Sequence, residues 1–320
     1  MLENFAIGAI ASLYWTKLSL CVSFLTMTTT VAPSTEFQFT SKDGLRIGCA
    51  RWDSRGTARG IFQIAHGLGE HLGRYTELIE VLQGAGFVVY GNDHRGHGRT
   101  APSREAFGNY GSGGFDLLVE DMVKLTLIAK EENPRMPLIL LGHSMGSFAS
   151  QQYILDNSYL IDGLVLSGSG ILDGVVQLAN SAPEKYNFLN AAFEPARTPF
   201  DWLSRDTAVV DAFMKDPLCF PTLTPVSTAS FLAAATRLAD STSLAEIRQD
   251  LPMYVFSGSE DPVGQRLAGI RALINRYHKA GISDIFYDFY AGGRHEMLNE
   301  TNRVEVRANL LNWISNVLGW

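Results

Sequence analysis

The pentapeptide Gly142-His143-Ser144-Met145-Gly146 constrains the fold of this chain more than any other feature. It directly follows an apolar run at 138–141 and directly precedes a stretch with helical character at 147–155. A Gly-x-Ser-x-Gly sequence between a strand and a helix is typical of a nucleophile elbow, a sharp turn that exposes the serine hydroxyl. The two glycines fit because a side chain at either position would crowd that turn. Ser144 is therefore a candidate nucleophile, although the motif needs support because it also arises by chance.

Composition narrows the class of protein. The chain has 320 residues, of which 46% are hydrophobic and 18% charged, a balance typical of globular proteins. A formal net charge of −7 offers nothing that attracts a polyanion, which argues against nucleic acid as a partner. Three widely spaced cysteines, Cys21, Cys49 and Cys219, indicate neither a disulfide framework nor a metal cluster.

The N-terminal segment 1–30 differs from the rest of the chain. Two apolar pieces, 5–15 and 18–25, are each too short to span a bilayer, and Lys17 separates them. The earliest charge is Glu3, whereas a secretory signal begins with positive charge. We interpret residues 1–30 as an apolar extension outside the fold: a signal, an anchor, or sequence upstream of a start at Met27. We expect a cytoplasmic protein, or a secreted or membrane-anchored one if the extension is a genuine signal.

Strand and helix patterns alternate along the remaining chain. Strands are predicted at 35–40, 45–52, 60–65, 87–90, 138–141, 161–166, 253–257 and 285–289, and helices at 75–83, 115–130, 147–155, 265–279 and 302–317. Alternation at this spacing predicts an α/β fold, with a mostly parallel eight-stranded sheet covered by helices on both faces. We assign the core to residues 31–169 and 252–320.

One long segment interrupts this alternation. Residues 170–251, here called the insert, contain no strand candidate but six prolines and many aromatic residues. Their apolar content argues against disorder. We interpret the insert as a helical cap or lid over the active site, with helices near 183–192, 206–215 and 227–239.

A serine nucleophile needs a base, and with an elbow of this kind the acid and then the histidine follow the serine along the chain. Only His278 and His295 lie downstream of Ser144. His278 falls inside a predicted helix between Tyr277 and Lys279, which indicates a surface residue. His295 lies in a glycine-rich loop after a strand, where a base is free to reach the serine. We predict His295 as the base.

The acid that orients this histidine is predicted to be Asp261. It follows the strand at 253–257, so it lies at the carboxyl end of the sheet. Because Pro262 can open a helix, the residue could instead serve as a helix N-cap. Glu260, Asp284 and Asp288 are the other candidates.

Two backbone amides are predicted to form an oxyanion hole. One belongs to Met145, the residue after the nucleophile, and the other to Leu68 in the loop His66-Gly67-Leu68-Gly69 after an early strand. Such amides meet the negative charge of a tetrahedral intermediate. The adjacent Glu70-His71 pair could contact substrate, but we favour a role in holding this loop by hydrogen bonds.

The segment Asp93-His94-Arg95-Gly96-His97-Gly98 contains two histidines and an aspartate. Its spacing matches no zinc signature, and neither a cysteine nor a second acidic cluster lies nearby in the sequence. We interpret it as a structural loop that braces the top of the sheet.

Five segments occur in a fixed order: His66 to His71 with Arg74-Tyr75, Asn92 to Gly98, Gly142 to Gly146, Gly258 to Asp261, and Gly293 to Glu296. In that order they resemble the monoacylglycerol lipases and related lysophospholipase-like serine hydrolases of the α/β-hydrolase superfamily. The resemblance extends from about residue 35 to the C-terminus and leaves out 1–30. Ser147 stands where that family usually has another glycine, a mild departure from the pattern.

The resemblance implies ester hydrolysis in two steps, with Ser144 as nucleophile, His295 as base, Asp261 as the orienting acid, and Leu68 and Met145 as oxyanion donors. It implies no organic cofactor and no metal. Expected partners are a small lipid or ester substrate and no nucleic acid, with peripheral membrane contact through the cap as a hypothesis. The oligomeric state and the preferred acyl length are left open.

Other functions on the same scaffold stay open. A general short-chain carboxylesterase is the main alternative, and an acyltransferase, a peptidase, a serine haloperoxidase or a non-catalytic binding protein are more distant ones. Ser144 argues against epoxide hydrolases and dehalogenases, which use an aspartate, and against dienelactone hydrolases, which use a cysteine. Because binding proteins on such a scaffold usually lack a triad member, the presence of all three candidates favours an enzyme.

Overall fold

Eight strands form one sheet in the computed structural model, which describes residues 33–181, 187–220 and 222–320. The predicted extension 1–30 lies outside the described residues. The strands are β1 (Thr35–Thr40), β2 (Arg46–Trp52), β3 (Gly60–Ala65), β4 (Phe87–Asn92), β5 (Leu138–His143), β6 (Gly163–Ser167), β7 (Met253–Gly258) and β8 (Ile285–Tyr290). Within the described ranges, the structure contains no helix whose length and apolar character would let it cross a bilayer.

The strand order in the sheet is β1-β2-β4-β3-β5-β6-β7-β8. β1 pairs antiparallel with β2, and β2 with β4, whereas every pair from β4 through β8 is parallel. Strands β3 to β7 are buried along their whole length. This burial on both faces explains why they appear in the sequence as continuous apolar runs rather than alternating ones. The predicted α/β-hydrolase sheet is confirmed.

The helices are α1 (Thr76–Gly84), α2 (Gly114–Glu132), α3 (Met145–Asn157), α4 (Leu172–Ser181), α5 (Asn187–Asn190), α6 (Thr207–Lys215), α7 (Pro225–Ala239), α8 (Ser241–Ala245), α9 (Ala268–Lys279) and α10 (Arg303–Leu318). Helices α1 and α10 pack on one face of the sheet, and α2, α3 and α9 pack on the other. Successive strand residues face opposite cores: Leu140 lies in one apolar cluster and Leu141 in the other.

Helix α9 begins three residues later than the sequence pattern predicts. Gln265, Arg266 and Leu267 have φ angles of 52°, 49° and 73°. These left-handed conformations cannot continue into a right-handed helix. The amide of Arg266 instead donates to the carbonyl oxygen of Asp261 at 2.9 Å, which folds this segment back onto the end of β7.

The described residues of the insert are helical or irregular, and the insert runs from the end of β6 to the start of β7. Helices α6 and α7 lie close to the ranges predicted for them. Asp206 caps α6 by accepting from the amide of Ala208, and Thr224 with Pro225 opens α7. Helix α4 was not predicted. The remaining predicted helix, 183–192, lies partly outside the described residues, and α5 falls within its range.

Candidate active site

Ser144 lies in the turn between β5 and α3. Its φ of 52° and ψ of −119° are rare for a residue with a side chain, as a strained elbow requires. A Cβ at position 142 would overlap the carbonyl oxygen of Gly146, and one at position 146 would overlap that of Ala65. The turn therefore demands both glycines. The Ser144 amide donates to the carbonyl oxygen of Ser167 at 2.9 Å, which fixes the elbow against β6.

His295 and Asp261, 34 residues apart, meet in a buried hydrogen bond. Nδ1 of the histidine lies 2.9 Å from Oδ1 of the aspartate, and both side chains are almost completely buried. The rings of His143 and Trp202 each lie 4.8 Å from the imidazole, on centroids, and limit its rotation. Burial acts to lower the pKa of His295, but the charge and hydrogen bond of Asp261, with smaller contributions from Glu296 and Glu70, outweigh it and raise that pKa.

Asp261 does not cap a helix, because α9 begins seven residues later and its N-cap is Leu267. Oδ1 also accepts from the amide of Val263 at 2.9 Å, so the carboxylate is held from two sides. The other candidates are engaged elsewhere or exposed. Glu260 pairs with Arg266 at the surface, Asp288 accepts from Tyr254, and Asp284 is exposed.

The other histidine downstream of the elbow is remote from this arrangement. His278 is exposed on α9, and its Nδ1 lies 3.0 Å from the carbonyl oxygen of Ile282. It therefore contributes to the end of its own helix.

Ser144 and His295 border the same cavity, which has a volume of about 490 Å³. Leu68 and Met145, whose amides are the predicted oxyanion donors, border it beside them. Most of the remaining wall is apolar and comes from the insert, including Val175, Phe200, Trp202, Phe213, Phe220 and Phe231. This arrangement presents a serine and a histidine to a site that fits an apolar ligand.

The loop of residues 66–71, called the glycine loop, is held by side chains on both sides of Leu68. The amide of Gly67 donates to Oε1 of Glu70 at 2.5 Å, and Tyr75 donates its hydroxyl to the same oxygen at 2.7 Å. Burial would raise the pKa of Glu70, but the neighbouring charges of Arg74, His143 and His66 lower it to about 2. Glu70 is thus a carboxylate that accepts hydrogen bonds, in keeping with the loop-holding role that we favoured from the sequence.

His71 links the glycine loop to the insert. Its Nδ1 accepts from the amide of Gly73, so Nε2 carries the N–H, which donates to Oδ2 of Asp216 at 2.9 Å. These two residues and Cys219 offer potential metal ligands within 4.8 Å of one another. However, Nε2 of His71 and Oδ2 of Asp216 are already hydrogen-bonded to each other. The cluster therefore acts as a hydrogen-bonded contact between loop and insert.

In the segment predicted to brace the sheet, Asp93 holds two neighbouring turns. Its carboxylate accepts from the amide of Leu72 at 3.0 Å and from the amide of Arg99 at 2.9 Å. The buried ring of His94 packs on that of His66, with centroids 4.3 Å apart. The segment therefore packs against the glycine loop at His66.

Two charged residues of the site escaped the sequence analysis. Arg74 and Glu296 each appear there only within a segment that carries the resemblance. The structure brings them together at the cavity wall, where the guanidinium forms two hydrogen bonds of 2.7 Å with the carboxylate. They are 222 positions apart, and only the adjacency of Glu296 to a predicted base could have drawn attention to it.

The parallel sheet, the serine elbow and the buried histidine–carboxylate pair at its edge define the α/β-hydrolase class. Residues 56–302 match the Hydrolase_4 family, described as serine aminopeptidase, S33. The chain belongs to this family.

Individual relatives extend this assignment. The chain is 30% identical over 281 residues to a monoacylglycerol lipase of Mycolicibacterium smegmatis, covering 87% of this chain and 96% of the relative. It is 28% identical over 282 residues to a monoglyceride lipase of Mus musculus, covering 86% and 88%.

Solved structures support the same assignment. A carboxyl esterase from Bacillus coagulans, solved in complex with glycerol, superposes with a TM-score of 0.80 at 28% identity, covering 89% of this chain and 98% of that one. A monoglyceride lipase variant from Saccharomyces cerevisiae, at 22% identity over 90% and 97% of the two chains and a TM-score of 0.69, supports the fold. The predicted superfamily and enzyme class, a carboxylic ester hydrolase, are confirmed.

Proposed function

We propose that this enzyme hydrolyses monoacylglycerols, with Ser144, His295 and Asp261 as its catalytic triad. The observation that carries the proposal is the buried 2.9 Å contact of His295 with Asp261 beside an apolar cavity that Ser144 also borders. The names of the relatives, monoacylglycerol and monoglyceride lipases, support this substrate class.

In the proposed mechanism, Ser144 attacks the acyl carbonyl while His295 takes the hydroxyl proton. The amides of Leu68 and Met145 donate to the oxyanion, the latter aided by its position at the N-terminus of α3. His295 then protonates the departing alcohol, and the acyl group remains on the serine. Asp261 keeps the imidazole in the required tautomer and stabilises its charged form.

The second step repeats the first with water as the nucleophile. His295 deprotonates the water, which attacks the acyl-enzyme, and the histidine returns its proton to the oxygen of Ser144 as the fatty acid leaves. The two steps use only groups of the chain, the substrate and one water molecule.

The insert supplies the basis for acyl selection. Its aromatic and aliphatic side chains form most of the apolar wall, so we propose that it acts as a cap whose cavity accepts the acyl chain. Burial of each methylene contributes about 0.8 kcal/mol, which favours long chains over acetate or butyrate. Lysophospholipids share the acyl chain and differ in the alcohol, so they are the next substrate class to compare.

The test is acid release from monoacylglycerols, lysophospholipids and p-nitrophenyl esters of matched acyl length, by the native enzyme and by Ser144→Ala. Release from monoacylglycerols that disappears in the variant is the expected result. Activity confined to short p-nitrophenyl esters would replace the proposal with a general carboxylesterase. Release that persists in Ser144→Ala would remove the serine mechanism altogether.

We further propose peripheral contact between the cap and a lipid surface. Met214 on α6 and Val226 on α7 are exposed apolar side chains in the insert. Replacement of both by serine is expected to reduce co-sedimentation with lipid vesicles and leave the hydrolysis of a water-soluble ester unchanged. The same substitution at Leu127, an exposed residue of α2, is the control.

A further inference from the structure

Arg74 lies at the centre of a buried cluster of charges on the cavity wall. Its Nη1 donates to Oε2 of Glu70 at 2.7 Å, and the same guanidinium forms two 2.7 Å hydrogen bonds with the carboxylate of Glu296. All three side chains are at most 10% exposed. Two carboxylates therefore share one cation in a site largely shielded from water, where charge-assisted hydrogen bonds are strong.

Each carboxylate belongs to a different part of the proposed catalytic machinery. Glu70 accepts from the amide of Gly67, directly before Leu68, so it fixes the segment that carries one proposed oxyanion donor. Glu296 directly follows His295, and its own amide donates to the carbonyl oxygen of Leu203 at 2.8 Å. Arg74 is thus hydrogen-bonded to both the glycine loop and the loop of residues 291–296, called the histidine loop.

The sheet alone does not fix these two loops relative to each other. The glycine loop follows β3 and the histidine loop follows β8, and β5, β6 and β7 lie between them. Four inter-strand spacings of about 4.8 Å separate the two strands by about 19 Å, and sheet twist adds to the divergence. A direct side-chain connection across the site fixes the position of one loop relative to the other.

We propose that Arg74 is a positioning residue that fixes the oxyanion donor of Leu68 and the base His295 in one frame by bridging Glu70 and Glu296. The inference rests on the proposed triad and oxyanion hole and adds a residue that contacts neither the serine nor the histidine in the described hydrogen bonds. Arginine suits the role because its planar fork binds one carboxylate with two parallel bonds while a further N–H reaches the second. Lysine carries the same charge without this fixed geometry.

The first experiment separates positioning from substrate binding. The variants Arg74→Lys and Glu296→Gln are compared with the native enzyme on a monoacylglycerol and a p-nitrophenyl ester of the same acyl chain. Loss of a residue that positions catalytic groups lowers kcat. We therefore expect kcat to fall about 10²-fold, as for a misplacement of about 1 Å, with little change in KM. The loss should be equal for both alcohols.

Asp121→Asn provides a matched control. Asp121 is also a buried carboxylate paired with an arginine, at 3.0 Å from Arg95, but it does not border the cavity. This variant is expected to lose stability while the folded enzyme keeps its kcat. If Arg74→Lys affected only KM, or only monoacylglycerol hydrolysis, Arg74 would be a substrate-binding residue, and an unchanged kcat in both variants would also overturn the proposal.

The pH profiles of the two variants separate a loss of positioning from a change in the charge around His295. The groups that face His295 are Asp261, Glu70 and Glu296, which all raise its pKa, and the rings of His143 and Trp202. Glu296→Gln removes one negative charge and should shift the acidic limb of kcat/KM to lower pH. Arg74→Lys keeps the net charge, so kcat should fall while the acidic limb stays in place. An acidic limb that does not move in Glu296→Gln would contradict the electrostatic effect of this carboxylate on the pKa of His295.

Ser144→Ala, measured alongside, separates this inference from the proposed function. If acid release persists in Ser144→Ala, the proposed triad is wrong, whatever the Arg74 variants show. If release depends on Ser144 but Arg74→Lys and Glu296→Gln keep the native kcat, the triad stands and only the positioning role of Arg74 is wrong.

Discussion

The imidazole of His71 donates from Nε2 to Oδ2 of Asp216 at 2.9 Å, and this contact connects the glycine loop to the end of helix α6. A second connection lies close by, because the amide of Phe220 donates to the carbonyl oxygen of Gly69 at 3.0 Å. The insert therefore forms part of the cavity and is also hydrogen-bonded to the loop that carries a proposed oxyanion donor.

Loss of this contact is expected to loosen the insert. Asp216→Ala removes the acceptor of a partly buried hydrogen bond, worth about 1 kcal/mol. Local opening should then increase the rate of limited proteolysis within 207–220, while cleavage elsewhere stays unchanged. Asp211→Ala is the matched control on the same helix, because Asp211 pairs with Arg197 at the surface. Equal proteolysis in the two variants would mean that His71 does not hold the insert.

Asp261→Asn tests the assignment of the acid. An asparagine keeps the size of the side chain but donates from its amide nitrogen, which favours the wrong tautomer of His295. We expect kcat to fall by about 10⁴-fold with KM nearly unchanged, as for the equivalent change in a well-studied serine protease. Glu260→Gln, one residue earlier and paired with Arg266 at the surface, should keep kcat within about twofold. The reverse pattern would reassign the acid to Glu260.

The candidate site residues that could be predicted from the sequence are those that a local pattern places. Ser144 could be found because its elbow needs glycines on both sides and a strand before it, and Asp261 because it follows a buried strand. Arg74 and Glu296 could not be found in this way. Their pairing depends on the tertiary fold, which brings together residues 222 positions apart, and an isolated charge in a sequence resembles a surface residue.

The start of α9 shows a different limit of prediction from sequence. The apolar pattern of 265–279 fits a helix, but the turn after Asp261 requires three left-handed residues, none of them glycine. Local propensity opposes that conformation, so only the contacts at the end of β7 impose it. Helix α4 was not predicted because the prolines and aromatic residues that follow it obscured its helical pattern.

The activity should depend on pH through His295. Its pKa is raised, and the protonated imidazole cannot accept the serine proton, so the acidic limb of kcat/KM is expected above about pH 6.5. The measurement is kcat/KM across the pH range with an ester that does not itself titrate. An acidic limb well below the value of a free histidine would show that burial outweighs Asp261.

Stability should fall on acidification because of buried neutral histidines. Burial lowers the pKa of His97 to about 3 and that of His143 to about 4. In the unfolded chain both protonate near pH 6.5, so below that pH the unfolded state binds more protons and the free energy of unfolding decreases. Each group contributes up to about 1.4 kcal/mol per pH unit until its folded pKa is reached.

Urea unfolding at about pH 7.5 and about pH 5 measures this decrease. His97→Gln should reduce the pH dependence, since one titrating group is removed. His278→Gln, the same substitution at an exposed position of α9, is the control. If His97→Gln retained the full dependence, groups other than His97 would cause the acid sensitivity.

The insert should set the preferred acyl length. Val175 of α4 borders the cavity, so Val175→Phe adds a ring to the apolar wall and shortens the space for the chain. Since each buried methylene is worth about 0.8 kcal/mol, exclusion of two of them would lower kcat/KM for long chains by about tenfold and leave short chains unaffected. Val176→Phe, on the next residue and outside the cavity wall, is the control. A uniform loss across all chain lengths would point to disruption of the insert rather than a shorter acyl site.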